Sequence, residues 1–385
     1  MNKSRVLFLI LSVCIVLPLL GSGLVFGAPT EDGVEGDSIY KYLSIFREVL
    51  KYVREAYVEE ADIRALMAGA LDGASDALDP LSVFVPEEQI DEYRRSAEVG
   101  SARSGLFLLK DRGVAYVVAV EEGSPGDEAG IRQGDIVSEI GGVSTRSMPL
   151  WQIRQTLAAP VGTEVLFELV RGGEAEELSF QLADFEPSAV SVSELDGVQV
   201  LRIPSIGEAT VAGVKSALSS LDGPLLLDLR GVAGGDAEVA YDVAELFAQG
   251  DLGQLKSRDK TLATYSSEID SVWTGQLGVL VDHGTQGASE VVVAVLQQKA
   301  DAMVLGNRSF GHAGVAEQIN LSDGLLELTA AFFTGPDGEM LNEGLAPDVR
   351  VNRLRTTDEE EGDAFLERAV ELLLSGEPED ERKVA

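Results

Sequence analysis

An α/β multidomain fold is predicted for this chain by three observations. From Val190 onward, apolar strand-like runs alternate with helix-like runs, an order that builds a layered core on a mostly parallel sheet buried on both faces. Residues 99–184 break instead into short β-rich runs separated by glycines, the pattern of a compact β-rich module with two helices. Ahead of both, residues 40–98 carry apolar side chains at helical spacing. The 385 residues are 45% hydrophobic, enough for several packed cores.

At the start, Lys3 and Arg5 precede an uncharged apolar run, residues 6–28, which Gly21, Ser22 and Gly23 interrupt and Gly27 and Ala28 end. Such a segment is either a signal peptide removed near residue 28 or a membrane anchor almost long enough to span a bilayer. Either way the protein is expected to be exported, to the periplasm or another extracytoplasmic space. Cys14 sits early in this run and follows Val13, so lipid attachment is not expected there. It is the only cysteine, so no thiol remains beyond it for disulfides or metal sites.

Residues 29–39 form an acidic, polar linker. In the helical N-terminal domain, 40–98, the residues Leu43, Phe46, Val49, Leu50 and Val53 line one stripe. Asp62 is placed to cap a helix carrying Ile63, Leu66, Met67, Ala70 and Leu71, and LDPLSVFVPEEQIDEY supplies a turn and another acidic helix start at Pro86.

In residues 99–184, the strands FLL, VAYVVAV, DIVSEI, EVLFELV and ELSFQL surround the turn EAGIRQGD and the helix SMPLWQIRQTLA. The phrase from EEGSPGDEAG to EVLFELVRGG closely resembles a PDZ domain. That resemblance implies peptide binding by strand addition beside a helix, with loop N–H groups taking the terminal carboxylate. The family's loop has a glycine between two apolar residues. Here the loop is Leu106, Phe107 and Leu108, which puts a bulky side chain where close backbone approach is usual.

The α/β core is expected over 185–375, before a polar acidic tail, 376–385. Its strands VQVLRIP, PLLLDLR, LGVLVD and AMVLG alternate with helices over 210–221, 237–247 and 289–300. Loops at strand C-termini carry the chemistry of such folds, and two lie there: DLRGVAGGD and DHGTQGASE.

Charge narrows the partners. Thirty basic against 65 acidic residues give a formal net charge of −35, which opposes binding to nucleic acid or anionic lipid. Membrane contact is expected only through the N-terminal segment where that segment is kept.

Eight landmarks in order, namely ALDPLSVFVPEE, the PDZ-like phrase, VLRIPSI, LLLDLRGVAGGDAEVAYDVAELF, the GASE helix, VLGNRSFGHAG, LSDGLLELTAAFFTGPDGEMLNEGLAPDV and FLERAVELLL, resemble the carboxyl-terminal processing peptidases. These are also called tail-specific proteases, and the resemblance covers about residues 40–375. It implies Ser–Lys nucleophilic catalysis, in which a neutral lysine takes the serine proton and backbone N–H groups hold the oxyanion. A poorly solvated site lowers the lysine pKa enough for that role.

Carried onto this chain, the family's nucleophile falls two residues before Ser289 of the Ser289–Glu290 pair, at Gly287. Its lysine, after Phe310 and Gly311, falls at His312, and its supporting glutamine at Ala316. Glycine cannot form an acyl-enzyme, and alanine offers no side-chain hydrogen bond. The oxyanion-like backbone is kept in Gly234, Gly235 and the N–H of Ala288, although Val232 and Ala233 replace the family's asparagine and proline. A dyad of Ser289 with His312 is the alternative catalytic arrangement, against which a serine in a helix's first turn ordinarily serves the helix end. No metal is expected: His283, His312 and Asp282 have no helical i, i+4 pair among them.

The function expected is that of an exported pseudoprotease, without cofactor, which binds polypeptide segments such as unstructured C-termini, or an active paralogue. Two other readings stay open. One is an active serine endopeptidase using Ser289 with His312, and the other is a structural subunit that self-dimerises.

Overall fold

The computed structural model describes residues 39–111, 113–186, 188–351 and 363–376. The segment 1–28, the linker up to residue 38 and the tail beyond Gly376 lie outside the described residues. The chain divides into two compact units, Met1–Leu66 and Met67–Ala385.

In the first unit, α1 (Ile39–Ala56) is the helix that the apolar stripe predicts, and none of its residues is buried. Asp62 caps the next helix, α2 (Ile63–Asp76), as expected, accepting from the N–H groups of Arg64 at 2.9 Å and Ala65 at 3.3 Å.

After α2, which runs across the boundary into the second unit, comes a turn held by Asp79, whose carboxylate accepts from the N–H groups of Leu81 and Ser82 and from the hydroxyls of Ser82 and Thr329. The turn feeds β1 (Val83–Pro86), which runs antiparallel to residues 324–327. Residues 40–98 are therefore not helical throughout. The helix expected after Pro86 is present as α3 (Ile90–Val99), but the four residues before it belong to a sheet. Their partner lies so far along the chain that no local periodicity announces the pairing.

The β-rich module comprises β2 (Leu106–Asp111), β3 (Val114–Val120), α4 (Pro125–Glu128), β4 (Ile136–Ile140), β5 (Val143–Ser144), α5 (Leu150–Leu157), β6 (Glu164–Arg171) and β7 (Glu174–Gln181). Its antiparallel sheet runs β2-β3-β4-β6-β7, with β5 beside β4. Ile153 and Leu157 of α5 pack with Val117, Phe167 and Leu169 in its core.

The remaining elements are β8 (Ser191–Leu195), β9 (Val198–Arg202), α6 (Glu208–Leu218), β10 (Leu225–Asp228), α7 (Ala237–Ala244), β11 (Gly250–Ser257), β12 (Thr261–Ser267), β13 (Leu277–Val281), α8 (Ala288–Lys299), β14 (Met303–Gly306), β15 (Gly314–Asn320), β16 (Gly324–Phe333), β17 (Val349–Arg350) and α9 (Ala364–Ser375). One sheet runs β17-β14-β13-β10-β9-β8 and is parallel except for the β8–β9 hairpin. Leu225 and Leu227 join one core with Val291 and Val295, while Leu226 between them packs on Leu372 and Leu373 of α9. Burial on both faces is why these strands read as unbroken apolar runs.

A second, antiparallel sheet runs β1-β16-β11-β12, with β15 also on β16. The sequence gives no strand signal over 250–267 and only landmarks over 314–333. β12 and β15 are exposed along most of their length, so the apolar alternation of a half-buried strand is faint.

Candidate functional site

Three loops meet at the C-terminal ends of parallel strands: 229–236 after β10, 282–287 after β13 and 307–313 after β14. The first two are stitched together. Asp282 accepts from the N–H groups of Gly231 and Gly284, both at 2.9 Å. The Thr285 hydroxyl donates to the Leu229 carbonyl at 2.9 Å, and the Gln286 N–H to that of Val232 at 3.0 Å. Gly284 permits the close approach, since a Cβ there would sit 2.6 Å from Gln133 Nε2 and 2.8 Å from Gly231 Cα.

Glu290 ties in the third loop. Fully buried, it accepts from the Gly287 N–H at 2.9 Å through one oxygen, and from the Ser309 hydroxyl at 2.5 Å and the Gly311 N–H at 2.6 Å through the other. Burial pushes its pKa up to about 7, against the opposing pull of these three donors.

Gly287 caps α8 with φ 68° and ψ −115°, a conformation that side-chain-bearing residues adopt only under strain. Space is not the constraint: an added Cβ would meet nothing closer than the Gly234 carbonyl oxygen, at 3.8 Å. A serine would fit here in the strained state typical of a nucleophile at a sharp strand-to-helix turn. The turn is present, and glycine occupies it.

Ser289 is fully buried, and its hydroxyl lies 2.8 Å from the Val232 carbonyl and 3.0 Å from that of Gln286. It therefore braces the first turn of α8. No hydrogen bond joins it to His312, whose Nε2 is buried without a partner among the described residues. Burial pushes the His312 pKa down, and the nearby Asp79 carboxylate and a hydrogen bond to the Asn342 backbone only partly oppose this. The imidazole is thus neutral at neutral pH, packed between the rings of Phe310 and Phe332. His283 is exposed, and Asp282 is engaged by backbone N–H groups. Ala316 lies exposed on β15, beyond a bulge that separates it from Val315, and does not line the cavity.

Gly234 and Gly235 hold φ of 75° and 88°. Among the described residues, neither N–H meets an acceptor, nor does that of Ala288. Gly235 is obligatory, since a Cβ would fall 2.7 Å from the Ile206 carbonyl oxygen. The oxyanion-like backbone therefore persists with its donors free.

One cavity of about 380 Å³ joins Gly234, Gly235, Gly287, Ala288 and His312 to Leu106, Phe107 and Leu108 of β2 and to Trp151 and Arg154 of α5. Phe107 covers the oxyanion turn: its Cε1 lies 3.2 Å from where a Gly234 Cβ would be. Two amides at the β2 entrance are engaged within the loop, Gly105 N–H with the Ser101 carbonyl and Leu106 N–H with the Ser104 hydroxyl. Arg154 is the sole Lys or Arg among the cavity's lining residues. Burial lowers its pKa, and Tyr93 and Glu327 work in the other direction, which leaves it charged. Neither Arg154 nor the pinning role of Glu290 is evident in the sequence. For Arg154 a signal existed, since Trp151, Arg154 and Leu157 fall on one face of α5.

Residues 197–351 match the family model of peptidase family S41, and residues 116–171 that of a PDZ domain. The chain carries an S41 peptidase domain joined to a PDZ domain. It is 25% identical to a carboxy-terminal-processing protease of Bartonella bacilliformis, aligned over 87% of this chain and 80% of that one. With the carboxy-terminal processing protease CtpA of Bacillus subtilis it shares 26% identity, over 91% and 77% respectively. The solved photosystem II D1 C-terminal processing protease has the same fold, with a TM-score of 0.65 at 24% identity, covering 80% of this chain and 87% of that structure. The multidomain α/β architecture and the PDZ module expected from the sequence thus hold. Within this S41 frame, positions 287, 312 and 316 carry glycine, histidine and alanine.

Proposed function

We propose that this chain is an exported member of the S41 family that binds polypeptide segments and does not hydrolyse them, presenting or withholding them for an active paralogue. One observation carries the reading. A single cavity joins the PDZ groove to the turn at Gly287, and two residues lining it hold buried polar atoms without partners among the described residues: Trp151 Nε1 and His312 Nε2. Buried polar atoms are normally paired. An extended peptide carries both complements, a carbonyl for the indole N–H and an N–H for the neutral imidazole. Arg154 gives a terminal carboxylate a charged partner in place of the engaged loop amides. Glycine at 287 leaves room for the peptide backbone where a nucleophile would stand. Export rests on the basic residues and apolar run at the N-terminus.

The test uses fluorescent unstructured peptides with free apolar C-termini. Saturable polarisation with the peptide intact by mass spectrometry, and binding weakened by Arg154→Gln, is the expected result. Absence of binding to every peptide overturns the reading, as does cleavage by the unmodified chain.

A further inference from the structure

The helix α1 breaks the charge pattern of the molecule. The chain as a whole has 65 acidic and 30 basic residues, yet α1 carries Lys41, Arg47, Lys51 and Arg54 against only Glu48 and Glu55. At 3.6 residues per turn its side chains divide into two halves. Ile39, Tyr42, Leu43, Ile45, Phe46, Val49, Leu50 and Val53 fall in the apolar half, with Tyr52 at one edge of it. Arg47, Lys51 and Arg54 fall opposite, with Arg47 and Arg54 next to its other edge. Ile39 is 67% exposed, Leu43 55% and Val49 52%. Among the described residues, no helix is long and apolar enough to cross a membrane.

We propose that α1 is a membrane-surface helix that lies in the interface of an anionic bilayer, its apolar half against the acyl boundary and its arginines and lysines among the headgroups. A helix with one apolar half and a net basic polar half, of low overall hydrophobicity, is the form that binds such interfaces, and Tyr52 at the edge of the apolar half suits headgroup depth. An anionic surface satisfies both halves at once. A second copy of this helix offers the same net positive charge and so does not. Repulsion between the acidic body and the lipid is screened over about 8 Å at physiological ionic strength, so the acidity of the whole chain does not forbid a local basic contact. This inference is independent of what the cavity binds.

The experiment uses the full chain with an Ile45→Trp reporter, mixed with vesicles of phosphatidylcholine alone or doped with phosphatidylglycerol. Expected are a blue shift of the reporter and co-flotation with the anionic vesicles only, both lost at high salt. Replacing Arg47 and Arg54 with Gln together weakens partition roughly thirtyfold, with the thermal transition of the protein unchanged. Val49→Asp abolishes the blue shift. An unshifted reporter, equal shifts on both vesicle types, or partition indifferent to these substitutions overturns the proposal. So does a dimer by light scattering that Val49→Asp dissociates while lipid has no effect, since the apolar half then belongs to a second copy.

Discussion

The turn around Gly287 and the groove beside β2 line the same cavity but are finished differently. In the turn, Asp282, Thr285, Ser289 and Glu290 each hydrogen-bond to the loops around them, and Gly287 stands at the head of α8 without a side chain. In the groove, Trp151 keeps an indole N–H without a partner among the described residues, and Arg154, the sole Lys or Arg lining the cavity, lies near Tyr93 and the Glu327 carboxylate. Polar groups that are already satisfied hold a shape, whereas unsatisfied ones await a ligand. The loops of the turn are held by satisfied groups, and what is left for a ligand is spread along the cavity, from Trp151 Nε1 in the groove to His312 Nε2 and the N–H groups of Gly234, Gly235 and Ala288, free among the described residues, beside the turn.

The largest test of this contrast cuts the frame at Glu290. Glu290→Ala leaves three donors without their acceptor and is expected to cost at least about 3 kcal/mol, read as a lowered urea midpoint. Should the midpoint stay put, the turn is not the rigid frame described. A pH series sharpens the point. Burial raises the Glu290 pKa from 4.5 to about 7 in the folded protein, so the folded state holds this proton more tightly than the unfolded one. Its contribution to stability is greatest below pH 4.5 and falls by about 3 kcal/mol as pH rises to 7. Glu290→Gln is expected to flatten that fall relative to the unsubstituted chain, measured by chemical unfolding at several pH values.

Smaller effects probe the two sides separately. Gly287→Ser meets no clash but places a side chain at positive φ, which costs roughly 1–3 kcal/mol; a change in thermal midpoint within that range is expected. Combined with His312→Lys, it is expected to introduce slow hydrolysis of unstructured peptides. On the groove side, Trp151→Phe removes one donor and keeps the ring, so peptide affinity is expected to fall about fivefold with stability nearly unchanged. Equal affinity for the two proteins would mean that the indole N–H is not a peptide contact.

Much of this was legible in the chain. The parallel sheet was readable because Leu225, Leu226 and Leu227 are all buried, on alternating faces. The strand-turn-helix frame was readable because the glycine-rich stretch over 283–287 follows an apolar strand and opens an apolar helix, where the structure places it. The antiparallel sheet was not, since β1 pairs with β16 more than two hundred residues away and β15 faces solvent. The placement of Ala316 away from the cavity follows from the bulge at Val315, which sequence spacing does not reveal. Nor does spacing show Phe107 folded over Gly234, a contact between two domains that only their docking creates.

The most direct measurement of the central claim follows one labelled, unstructured peptide with the purified chain at micromolar concentration, recording polarisation and product mass together over a day. The account predicts saturable binding with the peptide recovered intact. Cleavage products whose formation stops on Ser289→Ala or His312→Ala would contradict it.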